Sequence, residues 1–176
     1  MTILVLTAHG NDQTGLVDRL SGIITDGGGN WDTSHMARLA GKFAGIVQVS
    51  IPEDAADSLI ESLLTLKSQE KLDLVVERVP EQEPAARSTQ LSLQLAGQDH
   101  PGILHDIAKA LADSGVGIEE LRTETTPAPI GGGSMFRASV LMRAPADLPI
   151  GALFDRLETI ASDLMVDIEL ADDEAG

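Results

Sequence analysis

Gly10-Asn11-Asp12-Gln13-Thr14-Gly15 is echoed by Gly97-Gln98-Asp99-His100-Pro101-Gly102, and this echo decides the fold. The offset of 87 positions also carries Leu4, Leu6 and Ala8 onto Leu91, Leu93 and Leu95. It carries Leu16, Val17, Leu20, Ile23 and Ile24 onto Ile103, Leu104, Ile107, Ala110 and Leu111. Apolar positions that keep their spacing over such a length mark an internal repeat. Further along, Phe43 matches Phe136 at an offset of 93, because the second copy carries six more residues around Pro127 to Gly133. Insertions of that kind belong at hairpin tips. At an offset of 94, Leu59, Ile60, Leu63 and Leu66 fall on Leu153, Phe154, Leu157 and Ile160, and Leu72, Leu74 and Val76 fall on Val166, Ile168 and Leu170.

The periodicities say what each piece is. Leu91, Leu93 and Leu95 alternate with Gln90, Ser92 and Gln94, the pattern of a strand with one buried face, and Ile3 to Leu6 is its counterpart. Leu16, Leu20, Ile23 and Ile24 form one stripe of a helix that ends at Gly27-Gly28-Gly29, where a left-handed C-cap is easily taken. Gly115 and Gly117 end the matching helix. Two extended stretches follow, about Asn30 to Leu39 and Lys42 to Ile51, joined through Ala40-Gly41 as a hairpin. Pro52-Glu53-Asp54 opens an acidic first turn that suits the helix dipole, Ala55 to Leu66 reads as the second helix, and Lys71 to Val79 as a closing strand.

Each unit therefore reads βαββαβ, an α+β fold of two tandem modules, each one sheet with two helices on a single face. The expected boundaries are 1–79 for the first module, a Pro-rich linker at 80–88, 89–171 for the second module and an acidic tail at 172–176. The sheet face without helices is left for a partner or for water, and unpaired strand edges or helices suit a homodimer.

The chain has 12 Lys plus Arg against 28 Asp plus Glu, a formal net charge of −16 that repels a phosphate backbone. The aromatic platforms of single-strand readers are also scarce, with only Trp31, Phe43, Phe136 and Phe154 present. Direct nucleic-acid binding is thus disfavoured. Absence of cysteine excludes disulfides, thiolate metal sites and cysteine nucleophiles. No run approaches a membrane span, and Met1 to Ala8 lack a signal peptide's basic flank, so the expected location is the cytoplasm.

At a helix start, Gly15 and Gly102 allow a ligand carboxylate to approach backbone N–H groups, while Asp12 or Asp99 could take an ammonium. A zwitterionic amino acid carries both ends. The competing reading is that Asp12 and Asp99 simply cap their helices, worth about 1 kcal/mol without any ligand. Other chemistries fare worse. Leu16-Val17 and Ile103-Leu104 replace the Lys-Ser/Thr of a phosphate loop, and His100 and His105 lie five apart, off the i, i+4 spacing of helical metal ligands. No nucleophile elbow or His-Glu-x-x-His motif is present, and no cofactor is implied. Trp31 reads as a core or interface residue, and the Pro127 to Gly133 insertion as a hairpin tip rather than a lid.

The element order, with a Gly-x-Asp-x-x-Gly loop between first strand and first helix in both copies, resembles the ACT domain. A tandem pair with little else is similar to the repressor-like family of the glycine cleavage system. The resemblance implies tandem ferredoxin-like modules, each an antiparallel sheet with two helices on one face, that bind small amino-acid effectors, glycine or serine, near that loop. It also implies control of transcription through a protein partner, a DNA-binding regulator. Carried onto this chain, it nominates Asn11, Asp12, Thr14, Gly15 and Leu16 in the first copy, and Gln98, Asp99, His100, Gly102 and Ile103 in the second, beside Pro101. Thr14 departs from the proline common at its position, so the second loop is the closer match. Two alternatives stand beside this reading: a dimerising scaffold that binds no ligand, and the regulatory part of a metabolic enzyme.

Overall fold

Leu4, Leu6 and Ala8 leave β1 (Thr2–Asn11) on one side and are fully buried, as alternate positions of a pleated strand must be when one face meets a core. The computed structural model describes residues 1–70, 72–80, 88–128 and 132–172. After β1 come α1 (Leu16–Asp26), β2 (Asn30–Leu39), β3 (Lys42–Ile51), a 3-10 turn at Glu53–Ala55, α2 (Ala56–Glu70) and β4 (Asp73–Val79). The second half repeats the order with β5 (Ser88–Gln98), α3 (Ile103–Asp113), β6 (Gly117–Pro127), β7 (Ser134–Pro145), α4 (Ile150–Leu164) and β8 (Val166–Asp172). The chain divides into two compact units, Met1–Glu83 and Pro84–Gly176.

Each unit holds a four-stranded antiparallel sheet, in the orders β2-β3-β1-β4 and β6-β7-β5-β8. The first strand of each repeat is central. Leu16, Leu20 and Ile24 of α1 and Leu59, Leu63 and Leu66 of α2 bury against Leu4, Leu6, Val47 and Val49 in one apolar cluster. In the second unit Ile103, Ile107 and Leu111 of α3 and Leu153 and Leu157 of α4 do the same against Leu91, Leu93 and Val140. No polar or charged residue is buried among the described residues. The alternate strand positions face away from the helices, and Ile46 and Val75 there are 52% and 53% exposed.

The turns obey their backbone chemistry. Ala40 and Gly41 take φ of 50° and 76°, the two positive values that a two-residue hairpin turn requires. Both helices that follow a first strand end in the same left-handed glycine motif. Gly28 N–H bonds Thr25 O and Gly29 N–H bonds Ile24 O after α1, while Gly115 N–H bonds Ala112 O and Val116 N–H bonds Leu111 O after α3.

Some boundaries differ from the reading of the periodicities. The opening strand runs on from Leu6 to Asn11, because β1 stays paired with β3 as far as Asn11 opposite Lys42. Gly10 and Asn11, like Gly97 and Gln98, therefore belong to strand ends rather than to the loop. The helix expected from Ala55 starts after a 3-10 turn and extends past Leu66 to Glu70. The closing strand begins at Asp73 instead of Lys71, which lies outside the described residues. Also outside them are 81–87 of the expected linker, 129–131 of the insertion and 173–176 of the tail.

Gly97 is opposite Val166, and a Cβ on it would come within 2.8 Å of the Val166 Cα. Gly97→Ala is therefore expected to destabilise the second unit by about 1–3 kcal/mol through overpacking. Urea unfolding followed by far-ultraviolet circular dichroism should show the loss, while the fluorescence midpoint of Trp31, the only tryptophan and a residue of the first unit, stays in place.

Candidate functional site

The strand-to-helix connections place the candidate residues at the end of each central strand. Gly15 and Gly102 occupy the N-cap positions of α1 and α3 with φ of 83° and 106°, a left-handed backbone natural only to glycine. Neither helix has a side-chain cap. This corrects the capping role read for Asp12 and Asp99. The left-handed glycine itself turns the chain into the helix, and the aspartates stand three residues upstream of it, out of the cap position.

In the first loop the polar side chains are already engaged. Asn11 Oδ1 accepts from Lys42 Nζ at 2.6 Å, and the Asp12 carboxylate meets Arg38 Nε at 2.9 Å. Asp12 N–H bonds Gly41 O at 3.0 Å. All three partners belong to the β2–β3 hairpin, so this loop is braced against the hairpin tip. On the other side Arg19 Nη1 donates to Thr14 O at 3.5 Å and stands 3.3 Å from where a Gly15 Cβ would be. Leu16 is a core residue, and only its backbone can serve a ligand.

The second loop is built differently. Asp99 N–H bonds Ser134 O at 2.8 Å, but no hydrogen bond or ion pair holds its exposed carboxylate among the described residues. Ile103, like Leu16, is buried in the core, and Gln98 ends β5 opposite Met135. His100 is the mechanical link. Its Nε2 lies 3.0 Å from Leu164 O at the C-terminal end of α4, and its Nδ1 lies 3.2 Å from Pro101 O.

Two carbonyl acceptors call for an N–H on both ring nitrogens, so this geometry favours the imidazolium. The Leu164 and then the Pro101 carbonyl raise the His100 pKa above its ordinary 6.5; Asp99 and Asp106 add to this, and partial desolvation opposes it. Its repeat equivalent is Gln13, so the first unit has no titrating counterpart. His9 stands 4.0 Å from Asp73, and no cluster of three metal-ligating side chains occurs among the described residues.

A raised folded-state pKa means that the charged ring stabilises the fold fully below about pH 6.5 and less as pH rises through the folded value. The second unit of the native chain is thus expected to lose stability as pH rises above about 6.5, and His100→Gln to flatten that slope. Urea unfolding at several pH values, with the His100 ring titrated by proton NMR, checks both.

Residues 2–77 match the ACT domain family. The glycine cleavage system transcriptional repressor of Escherichia coli is 26% identical over 163 residues, which cover 92% of this chain and 85% of that protein. The crystal structure of an unknown protein from Galdieria sulphuraria superposes with a TM-score of 0.82 at 28% identity, covering 97% of this chain and 98% of that one. A crystal structure provisionally named as a glycine cleavage system transcriptional repressor shares the fold at a TM-score of 0.69 and 18% identity, covering 97% and 96%. The first unit thus matches the ACT domain family, the second repeats its βαββαβ sheet, and the chain as a whole is similar to the glycine cleavage system transcriptional repressors.

Proposed function

We propose that this chain is a non-catalytic sensor of a small amino acid, glycine or serine, that modulates a DNA-binding transcriptional regulator by protein contact. The effector binds at the second loop, Gln98 to Ile103. One observation carries this choice: Asp99 keeps an unengaged carboxylate beside an uncapped helix start, whereas Asp12 is tied to Arg38. The amino group of the effector then meets Asp99, and its carboxylate meets the backbone past Gly102, where no Cβ blocks the approach. The first loop, braced by Lys42 and Arg38, serves as structure. The name of the Escherichia coli relative supports a role in repression, and a chain of charge −16 reaches DNA through a partner rather than directly.

In this reading the protein works as a cytoplasmic homodimer; no helix among the described residues is long and apolar enough to cross a membrane. Occupancy of the loop reaches the rest of the second unit through His100, which joins it to the end of α4.

A ligand that binds only the folded form adds about 2.7 kcal/mol of stability at a hundredfold excess over Kd. Glycine or serine is therefore expected to raise the melting temperature. Asp99→Ala should remove that rise, and Asp12→Ala should keep it. A melting curve indifferent to every common amino acid would overturn the sensor and leave the dimerising scaffold.

A further inference from the structure

The helix-free face of the second sheet is shaped and charged unlike that of the first. Its central strands carry short side chains, Gln94 and Ala96 on β5 and Ser139 on β7, with Gln94 Nε2 donating to Ser139 Oγ at 2.8 Å. Long charged ones surround them: Arg122 and Glu124 on β6, Arg137 on β7, and Asp167 and Glu169 on β8. Pairing in register puts Arg122, Ser139, Gln94 and Glu169 in one row across the sheet, and Glu124, Arg137, Ala96 and Asp167 in the next. The result is a trough of about 450 Å3 with a low polar floor and charged walls. On the first sheet the equivalent rows are His35, Ile46, Thr7 and Val75, and Ala37, Ala44, His9 and Asp73; they hold no arginine, and their one carboxylate, Asp73, lies near Lys67 and His9.

The two walls are not equally satisfied. Arg122 Nε is 2.6 Å from Glu120 and Arg137 Nη1 is 3.4 Å from Glu124, so the cationic wall is neutralised within its own hairpin. Asp167 and Glu169, two residues apart on the same face of edge strand β8, have no ion pair among the described residues. What remains is a concave surface with uncompensated negative charge. A second copy of the same face would bring concave against concave, with a net charge of the same sign. A nucleic acid has the wrong sign.

We propose that this trough is the docking surface for a basic segment of a protein partner, whose lysine or arginine side chains meet Asp167 and Glu169 while its backbone lies over Gln94, Ala96 and Ser139. The surface rests on the proposed function only for the existence of a protein partner, and it is separate from the effector loop. Failure here leaves the amino-acid melting shift untouched, and failure of that shift leaves this surface standing.

The probe is a short peptide of alternating lysine and serine, titrated into the isotopically labelled full chain. Amide shifts are expected at Gln94 to Ala96, Arg137 to Ser139 and Asp167 to Glu169. Asp167→Asn with Glu169→Gln should weaken binding about tenfold, the loss of two partly exposed ion pairs. Glu158→Gln, an exposed acid on α4, should change nothing, and Arg122→Ala should tighten binding. Affinity should fall as ionic strength rises from about 0.01 to 0.15 M, where the Debye length shrinks from about 30 to 8 Å. Equal loss in Glu158→Gln would reduce the effect to diffuse attraction. Spermine binding as tightly as the peptide would make the trough a small-cation site, and self-association that changes with the double substitution would give the face to a second copy. Each of these three results overturns the proposal.

Discussion

Everything in this protein hangs on the two-residue period of its central strands. Leu4, Leu6 and Ala8 in β1, and Leu91, Leu93 and Leu95 in β5, face the helices while each strand pairs on both sides. A slip of one residue would turn every one of these side chains to the opposite face and empty the core. Fixing that register fixes where each strand stops, hence where Gly15 and Gly102 start their helices. The same register puts Gln94 and Ala96 on the open face. Core, strand-to-helix loop and trough are three readings of one alternation.

Much of this was legible from the residues because it is local. Period-two and period-3.6 patterns identified all the main elements, and β2 and β3 run as expected over Asn30–Leu39 and Lys42–Ile51, since glycines and a Pro bound them. What escaped were consequences of distant pairing. Strand β1 continues to Asn11 because Lys42, far along the chain, is there to pair with it. Asp12 looked like a helix cap, but its carboxylate finds Arg38, and a left-handed glycine does the capping work instead. The resemblance nominated His100 as a residue of the second loop, but nothing nearby in sequence points to the carbonyl of Leu164. The trough was missed although its signal was available: the polar alternates Gln94 and Ser139 and the acidic alternates Asp167 and Glu169 could have been laid side by side once the strand order was assumed.

The two copies have diverged by how they use their charges. In the first, Lys42 and Arg38 lock the end of the central strand to a hairpin, and Asp73 lies near Lys67. In the second, acids on β8 and at Asp99 stay exposed without partners among the described residues, while arginines are held by β6.

The topology also bears on how such a chain matures. Each repeat begins with its central strand, which must wait for two strands made later before it is enclosed. β1 and β5 carry interchangeable apolar rows, so either could enter the other's sheet, the usual misassembly of tandem homologous domains. Synthesis from the N-terminus limits that exchange: β4 completes the first sheet at Val79, before β5 at Ser88 emerges to compete. A circular permutant that released β5 ahead of β4 would lose this protection.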